Sequence, residues 1–313
     1  MGPGATIGPF TYVQAKRLTL GAHASLKPLS FSRSHTIALG AYARNSPTCI
    51  VMGSMHSRSR LMVGDHSRLF PFCWLEPGEG IEIGNQVGVG GHTFIFSHGS
   101  WSDYLQGGPV KFAGVRIEND VWLPWRVTIL AGTTVGRGSI VMAGSVVSKS
   151  VPADVIAGGS PAKVLKERGS NTASAEELTQ RSREIVAQFF RYLQDDGCRR
   201  VRADASGDTL YRGDAMLTLR APAESAGVPA AGGIWVSVQR SPSATERETA
   251  LRQGLSAIDY PALRHHPAKA RSAFPEFLEF FSQYGVRLYE GDAESTRLPA
   301  PTTQSEQLAT PPN

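Results

Sequence analysis

From residue 117 the chain repeats itself every six residues. Aliphatic side chains stand at Ile117, Leu123, Ile129, Val135, Val141 and Val147 without a gap. Four residues after each comes a small or β-branched residue: Val121, Val127, Thr133, Ser139, Ser145 and Val151. The same frame recurs upstream at Val63, Leu69 and Leu75 and at Ile83, Val89 and Ile95, with weaker copies near Ile7 and Leu39. A period of six is a multiple of the strand period and not of the helical one, so it specifies short strands. Gly84-Asn85, Gly132, Gly136 and Gly144 punctuate them and read as corners. One such unit cannot bury its apolar face alone, whereas stacked units share a continuous apolar column. A β-sandwich needs strands of varied length and turns at roughly 8–12-residue spacing, which unbroken hexads do not fit.

Composition sets outer limits on function. With 41% hydrophobic and 19% charged residues the chain is globular, and its 313 residues suffice for two domains. A net charge of +5 fits a small anionic ligand. No Lys/Arg stripe with interleaved aromatics is present, so nucleic acid is not an expected partner. Cys49, Cys73 and Cys198 are odd in number and irregularly spaced, which gives neither a disulfide framework nor a CxxC metal site. A reducing, cytoplasmic setting follows. The opening residues do not read as a signal peptide, and no apolar run is long enough for a transmembrane helix.

The stretch from Val115 to Lys166, VRIENDVWLPWRVTILAGTTVGRGSIVMAGSVVSKSVPADVIAGGSPAKVLK, resembles the last coils of the hexapeptide-repeat acyltransferases. That family includes maltose, nodulation-sugar, xenobiotic and capsule O-acetyltransferases. The likeness covers about residues 5–168 and is most specific from Gly84 onward. It implies a mainly β chain: a left-handed parallel β-helix of triangular section, then a small α/β C-terminal domain. It further implies acetyl-CoA as co-substrate, a saccharide acceptor, and a homotrimer with each site between subunits. The expected domain plan is 1–168 for the β-helix, a linker at 169–174, the α/β domain at 175–297 and a disordered tail at 298–313.

After Ile95 the frame should continue at residue 101, yet the next clear hexad starts at Ile117. The residues between, 99–116, therefore leave the coil as a loop. An excursion this long inside a regular architecture is usually functional. His98 stands at its root, in FIFSHGS. By resemblance it is the general base: a neutral alcohol attacks a thioester poorly unless its proton is removed, and an imidazole can take it near neutral pH. Trp101, Asp103 and Tyr104 in the loop are the candidate acceptor contacts. The resemblance also assigns the backbone amide of Trp125 as oxyanion donor. Ala143, Gly144 and Ser145 would line the pantetheine arm, and Lys163 and Lys166, with Lys149 a weaker candidate, would meet the nucleotide phosphates. Where the family reads VWIGAN, this chain reads VWLPWR, which brings Pro124 and Trp125 to the acyl end of the site and narrows it or blocks it. An N-acyltransferase of an amino sugar needs the same base, and a non-catalytic β-helical scaffold needs none.

A zinc enzyme of the same fold needs three converging histidines. His66, His92 and His98 share one position in their hexads, but coils that advance three faces at a time put them on three faces. No metal is expected.

After Arg168 the pattern changes. RGSNTAS leads into a helix predicted over Ala175 to Asp195, with Ile185, Phe189 and Leu193 on one face. Strands are predicted at Met216–Leu219, Ile234–Val238 and Val286–Tyr289. A second helix starts near Pro275 and carries Phe277, Leu278, Phe281 and Tyr284, with Gly285 ending it. His265 and His266 read as solvated loop residues, and the sequence assigns this domain no chemistry.

Overall fold

The computed structural model describes residues 1–100, 102–169 and 173–195, and beyond these the segments 199–204, 207–212, 215–220, 233–237, 243–252, 255–259, 264–266, 280, 283–284 and 289–290. The chain divides into two compact units; the first includes Met1–Ser170 and the second is Asn171–Glu294.

The first unit is a parallel β-solenoid. Its strands form three sheets of nine, seven and six strands, and each strand lies beside its counterpart in the next coil. The hexads become rungs: Leu69 pairs with Val89 and Val89 with Leu123 on the first sheet, and Leu75 with Ile95 and Ile95 with Ile129 on the second. On the third, Val63 pairs with Ile83, Ile83 with Ile117 and Ile117 with Val135. All of these aliphatic residues are buried, as are Val121, Val127, Thr133, Ser139, Ser145 and Val151. The small position four residues on turns inward at the corner, where three columns converge and a larger side chain has no room.

The coils begin further upstream than the hexad pattern shows. Thr6–Ile7 already pairs with Ser25–Leu26, and Ser25–Leu26 with Arg44–Asn45. The pattern is faint there because polar residues occupy inward places. Asn45 is buried, accepts from the Lys27 amide at 2.6 Å and donates to Ser30 Oγ at 3.1 Å. Ser32 is buried in line with Val51.

Corners are made differently from the glycine reading. Left-handed backbone falls mostly on other residues, among them Gln86, His92, Asp120 and Arg126. Gly132 and Gly144 do adopt positive φ. Gly84 is small for another reason: a Cβ there would lie 2.4 Å from Asn119 Oδ1, whose oxygen accepts the Asn85 amide in the neighbouring coil. It permits close approach and does not supply the turn.

The second unit holds the predicted helix, Ala175–Asp195, and a seven-stranded mixed sheet whose strands follow chain order. Ser174 and Glu177 cap the helix reciprocally: Ser174 N–H donates to the Glu177 carboxylate at 2.8 Å and Glu177 N–H to Ser174 Oγ at 3.1 Å. The backbone hydrogen bond from Ser174 lowers the Glu177 pKa. Phe189 and Leu193 are buried, with the Phe280 ring 5.1 Å from that of Phe189. Ala215–Arg220 and Gly233–Ser237 are strands where strands were predicted. His265 and His266 lie in a strand, Arg264–His266, and not in a loop. Most of the helix predicted from Pro275 and the tail from 298 fall outside the described residues.

Leu123 sits mid-column with no solvent contact. Leu123→Ala should cost about 2–5 kcal/mol, whereas Leu105→Ala, at an exposed loop position, should change stability by about 0.5 kcal/mol or less. Chemical denaturation of both variants checks the contrast.

Candidate active site

The excursion is a hairpin. His98–Ser100 pairs antiparallel with Val110–Phe112, and the chain rejoins the third sheet at Val115–Ile117. The loop therefore closes earlier than 116, because Val115 and Arg116 already pair with Ile81 and Glu82. Its root is clamped by Ser97, a buried residue whose hydroxyl donates to the Glu76 carbonyl at 2.6 Å and accepts from the Glu79 amide at 2.9 Å.

His98 begins the hairpin at that clamp. Its Nε2 lies 3.3 Å from Glu76 Oε2, and the other oxygen of Glu76 accepts from the Trp74 indole N–H at 2.9 Å. The imidazole runs nearly parallel to the Phe112 ring at 6.2 Å. With Nε2 carrying a proton toward the carboxylate, the lone pair stands at Nδ1. The Cβ position of Gly78 is 3.5 Å from Nδ1, an ordinary van der Waals contact, so this glycine lies beside the ring. The carboxylate lies within ion-pair distance of the ring, and the His98 side chain is partly exposed. Glu76 escaped the sequence reading. Its only signal is register: it pairs with Phe96, two residues before His98, and that pairing follows from a coil length lying outside the six-residue frame.

In the loop, Asp103 caps the short 3₁₀ turn Tyr104–Gln106: one carboxylate oxygen accepts from the Leu105 amide at 2.9 Å and the other from Gln106 Nε2 at 3.0 Å. Both of its oxygens thus serve the loop itself. Tyr104 is well exposed. Trp101 lies outside the described residues.

The Trp125 corner is built on glycine. The Trp125 ring lies over Gly91, where a Cβ would come within 2.6 Å of Cζ3, and it tilts against His92 at 5.9 Å. His92 in turn stacks on Phe72 at 4.8 Å. Among the described residues nothing accepts from the Trp125 amide, while its carbonyl accepts from the Gly144 amide at 3.1 Å. That bond takes Gly144 out of the set of free amides. Ser145 turns its hydroxyl inward, where it accepts from the Gly159 amide at 3.0 Å. Ala143 is exposed, and its amide has no acceptor among the described residues.

Lys163 and Lys166 stand on the closing strand Ala162–Glu167. Three residues apart, they would face opposite sides of a regular strand. The register slips between Ile156 and Ala157, however, so Lys166 pairs with Ile156 and Lys163 with Gly158. This bulge brings both lysines to one side. Lys149 is exposed at a separate corner.

One chain does not assemble these pieces. His92, which neighbours Trp125, and His98 bracket the strand Phe94–Phe96, and six residues of extended chain span about 20 Å. The base and the amide corner therefore occupy opposite edges of the second sheet. His66, on the remaining corner, stacks on Tyr42 at 4.7 Å. Among the described residues no group of three or more His, Cys, Asp or Glu is placed to hold a metal ion.

No family model matches the chain. Over 87 residues it is 40% identical to 2,3,4,5-tetrahydropyridine-2,6-dicarboxylate N-acetyltransferase of Staphylococcus aureus, covering 28% of this chain and 33% of that one. The solenoid and this stretch of sequence are similar to those of the hexapeptide-repeat acetyltransferases. The chain spans about a third of the length of the curated relatives it matches. Among solved structures, the hexapeptide-repeat acetyltransferase of Vibrio cholerae complexed with acetyl coenzyme A is 29% identical, with 41% of this chain and 72% of that one covered and a TM-score of 0.34. The N-acyltransferase AntD of Bacillus cereus, in complex with dTDP-4-amino-4,6-dideoxyglucose and coenzyme A, is 18% identical, with 60% and 92% covered and a TM-score of 0.39. No helix among the described residues is long and apolar enough to cross a membrane.

Cys49 and Cys73 are both buried in the solenoid, out of reach of reagents in solvent, and the hydrogen bond with Cys73 lowers the Cys49 pKa. A hydrogen bond with Cys49 together with burial raises the Cys73 thiol well above the ordinary thiol range, which suppresses the thiolate. Iodoacetamide at neutral pH should leave the peptides carrying Cys49 and Cys73 unmodified in the native protein and label them after denaturation, as read by mass spectrometry. Gly91→Ala should displace the Trp125 ring and cost about 1–3 kcal/mol, measured by chemical denaturation.

Proposed function

We propose that this protein is an acetyl-CoA-dependent O-acetyltransferase acting on a saccharide hydroxyl, with His98 as general base. The observation that carries the reading is the Glu76–His98 pair, clamped at the root of the excursion with the imidazole partly exposed. The acceptor hydroxyl attacks the thioester carbonyl as its proton passes to His98 Nδ1. The tetrahedral oxyanion is met by the Trp125 amide. Collapse breaks the C–S bond, and the imidazolium returns its proton to the leaving sulfur, giving the acetyl ester and free CoA. Ala143 supplies an amide for the pantetheine arm, and Lys163 and Lys166 supply positive charge for the phosphates. Exposed Tyr104, with Trp101, serves the acceptor, whereas Asp103 acts by shaping the loop.

A homotrimer completes the site. The outer side of the second sheet carries Ile50, Trp74, Phe94 and Thr128 in one column, with Glu76 and Phe96 in the next. It separates His98 from the Trp125 corner, and a neighbouring copy packed over it would bring its own corner to this chain's base. In this reading residues 1–168 are the catalytic domain, 169–174 a linker and 175–297 an accessory domain. Reduced Cys49 and Cys73 fit a cytoplasmic setting.

Amine acceptors form the second reading, favoured by the 40% identity to an N-acetyltransferase. An amine arriving as its ammonium form needs the same base to lose a proton.

Thiol release from acetyl-CoA, measured with hydroxyl and amino sugars, tests both readings. His98→Ala should lower kcat by ~100-fold or more. Glu76→Gln keeps the shape but removes the charge, and should lower kcat by about tenfold with KM little changed. Equal rates for wild type and His98→Ala would sink the mechanism, and faster transfer to amines would select the second reading.

A further inference from the structure

We infer that the outer side of the first sheet binds an acidic glycan chain, held by Arg44 and Arg68 beside a glycine rung bordered by Trp122. The inference rests on the saccharide reading of the acceptor and extends it.

Ser25, Arg44, Arg68, Gly88 and Trp122 stand in direct register on five successive parallel strands. Their chain neighbours Leu26, Asn45, Leu69, Val89 and Leu123 are buried in the inner column, so this column faces outward. Arg44 and Arg68 are therefore like charges on adjacent strands, about 4.8 Å apart at the backbone, an arrangement that destabilises a sheet. The third sheet resolves the same problem internally. There Glu82 lies between two cations, 3.0 Å from Arg60 and 3.1 Å from Arg116. On the first sheet no carboxylate stands in register with the pair, and among the described residues neither arginine has an acidic partner. Lys27, just past the strand Ser25–Leu26, is a third exposed cation in the same coil as Ser25.

Three details give the surface a built character. The Arg68 guanidinium lies over the Phe70 ring at 4.7 Å, which limits its freedom. Ser25, next to Arg44 in register, is buried with a hydroxyl that has no hydrogen-bond partner among the described residues. Beyond Arg68 the rung is Gly88, whose Cβ position is 3.4 Å from Trp122 Cδ1, so a half-exposed indole borders a strip of bare backbone. Guanidinium pairs bind carboxylates through paired N–H donors. An indole beside open backbone gives the apolar face of a pyranose a platform. Two rungs separate the indole from Arg68, close enough for one chain to reach both. A single-stranded nucleic acid would call for successive aromatic platforms along its path, and this strip has one indole.

Isothermal titration of the full chain with an oligouronic acid at low salt, without acyl donor, tests the inference. Binding is expected to weaken at least about tenfold in the R44Q/R68Q double variant and in Trp122→Ala, and a neutral oligosaccharide of equal length should not bind. The double variant should melt no lower than wild type, since it relieves a like-charge contact. Absence of oligouronate binding overturns the inference, as does binding that ignores these substitutions. Equal affinity for a single-stranded oligonucleotide of matched charge also overturns it, since the surface would then be a generic polyanion binder. The readout needs no catalysis. Oligouronate binding with no acetyl transfer to any acceptor would sink the enzyme reading and support the surface, and transfer to neutral sugars with no oligouronate binding would do the reverse.

Discussion

Apart from the hairpin at His98 and the closing strand Ala162–Glu167, the strands of the solenoid pair with the coil before them and the coil after them. A two- or three-residue strand has no stability of its own, so each coil depends on a neighbour in exact register to satisfy its amides and carbonyls and to cover its aliphatic residues. Cα partners such as Leu69, Val89 and Leu123 keep one inward place through coils of different length. Extra residues are consequently confined to corners, where they can leave without disturbing a rung. The hairpin that begins at His98 is the largest such departure, and its position follows from that constraint.

The same constraint fixes the chemistry available at each corner. A corner amide is either used by the adjacent coil or left for a ligand. Gly144 is used, through the carbonyl of Trp125, whereas Trp125 and Ala143 present amides with no acceptor among the described residues. On the His98 side, Ser97 is buried beneath the corner and ties it to Glu76 and Glu79, so base and carboxylate are placed by neighbouring rungs. Both stand at the root of the hairpin, beside the Ser97 clamp, whereas the polar contacts of Asp103 further out are internal to the loop.

Outward faces are free of the core's demands, and the three sheets use that freedom differently. The third pairs Arg60 and Arg116 with Glu82, the second sets Trp74, Phe94 and Phe96 beside Glu76 and Thr128, and the first concentrates unpaired cations beside bare backbone. A repeat that fixes the inside so tightly leaves function to be written on the outside, one rung at a time.

The sequence by itself determined the solenoid, the point where the chain leaves it and the histidine at that point. A six-residue aliphatic period admits few folds, and a break in it is visible as arithmetic. It could not show the first coils clearly, because Asn45 and Ser32 fill inward places with hydrogen-bonded polar groups. Only the tertiary structure decided which residues meet across coils. Glu76 finds His98, Gly144 loses its amide to Trp125, and the slip at Ile156 turns Lys163 and Lys166 to one side. These outcomes depend on register between distant strands, which is set by coil lengths and a bulge and leaves no periodic trace in the chain.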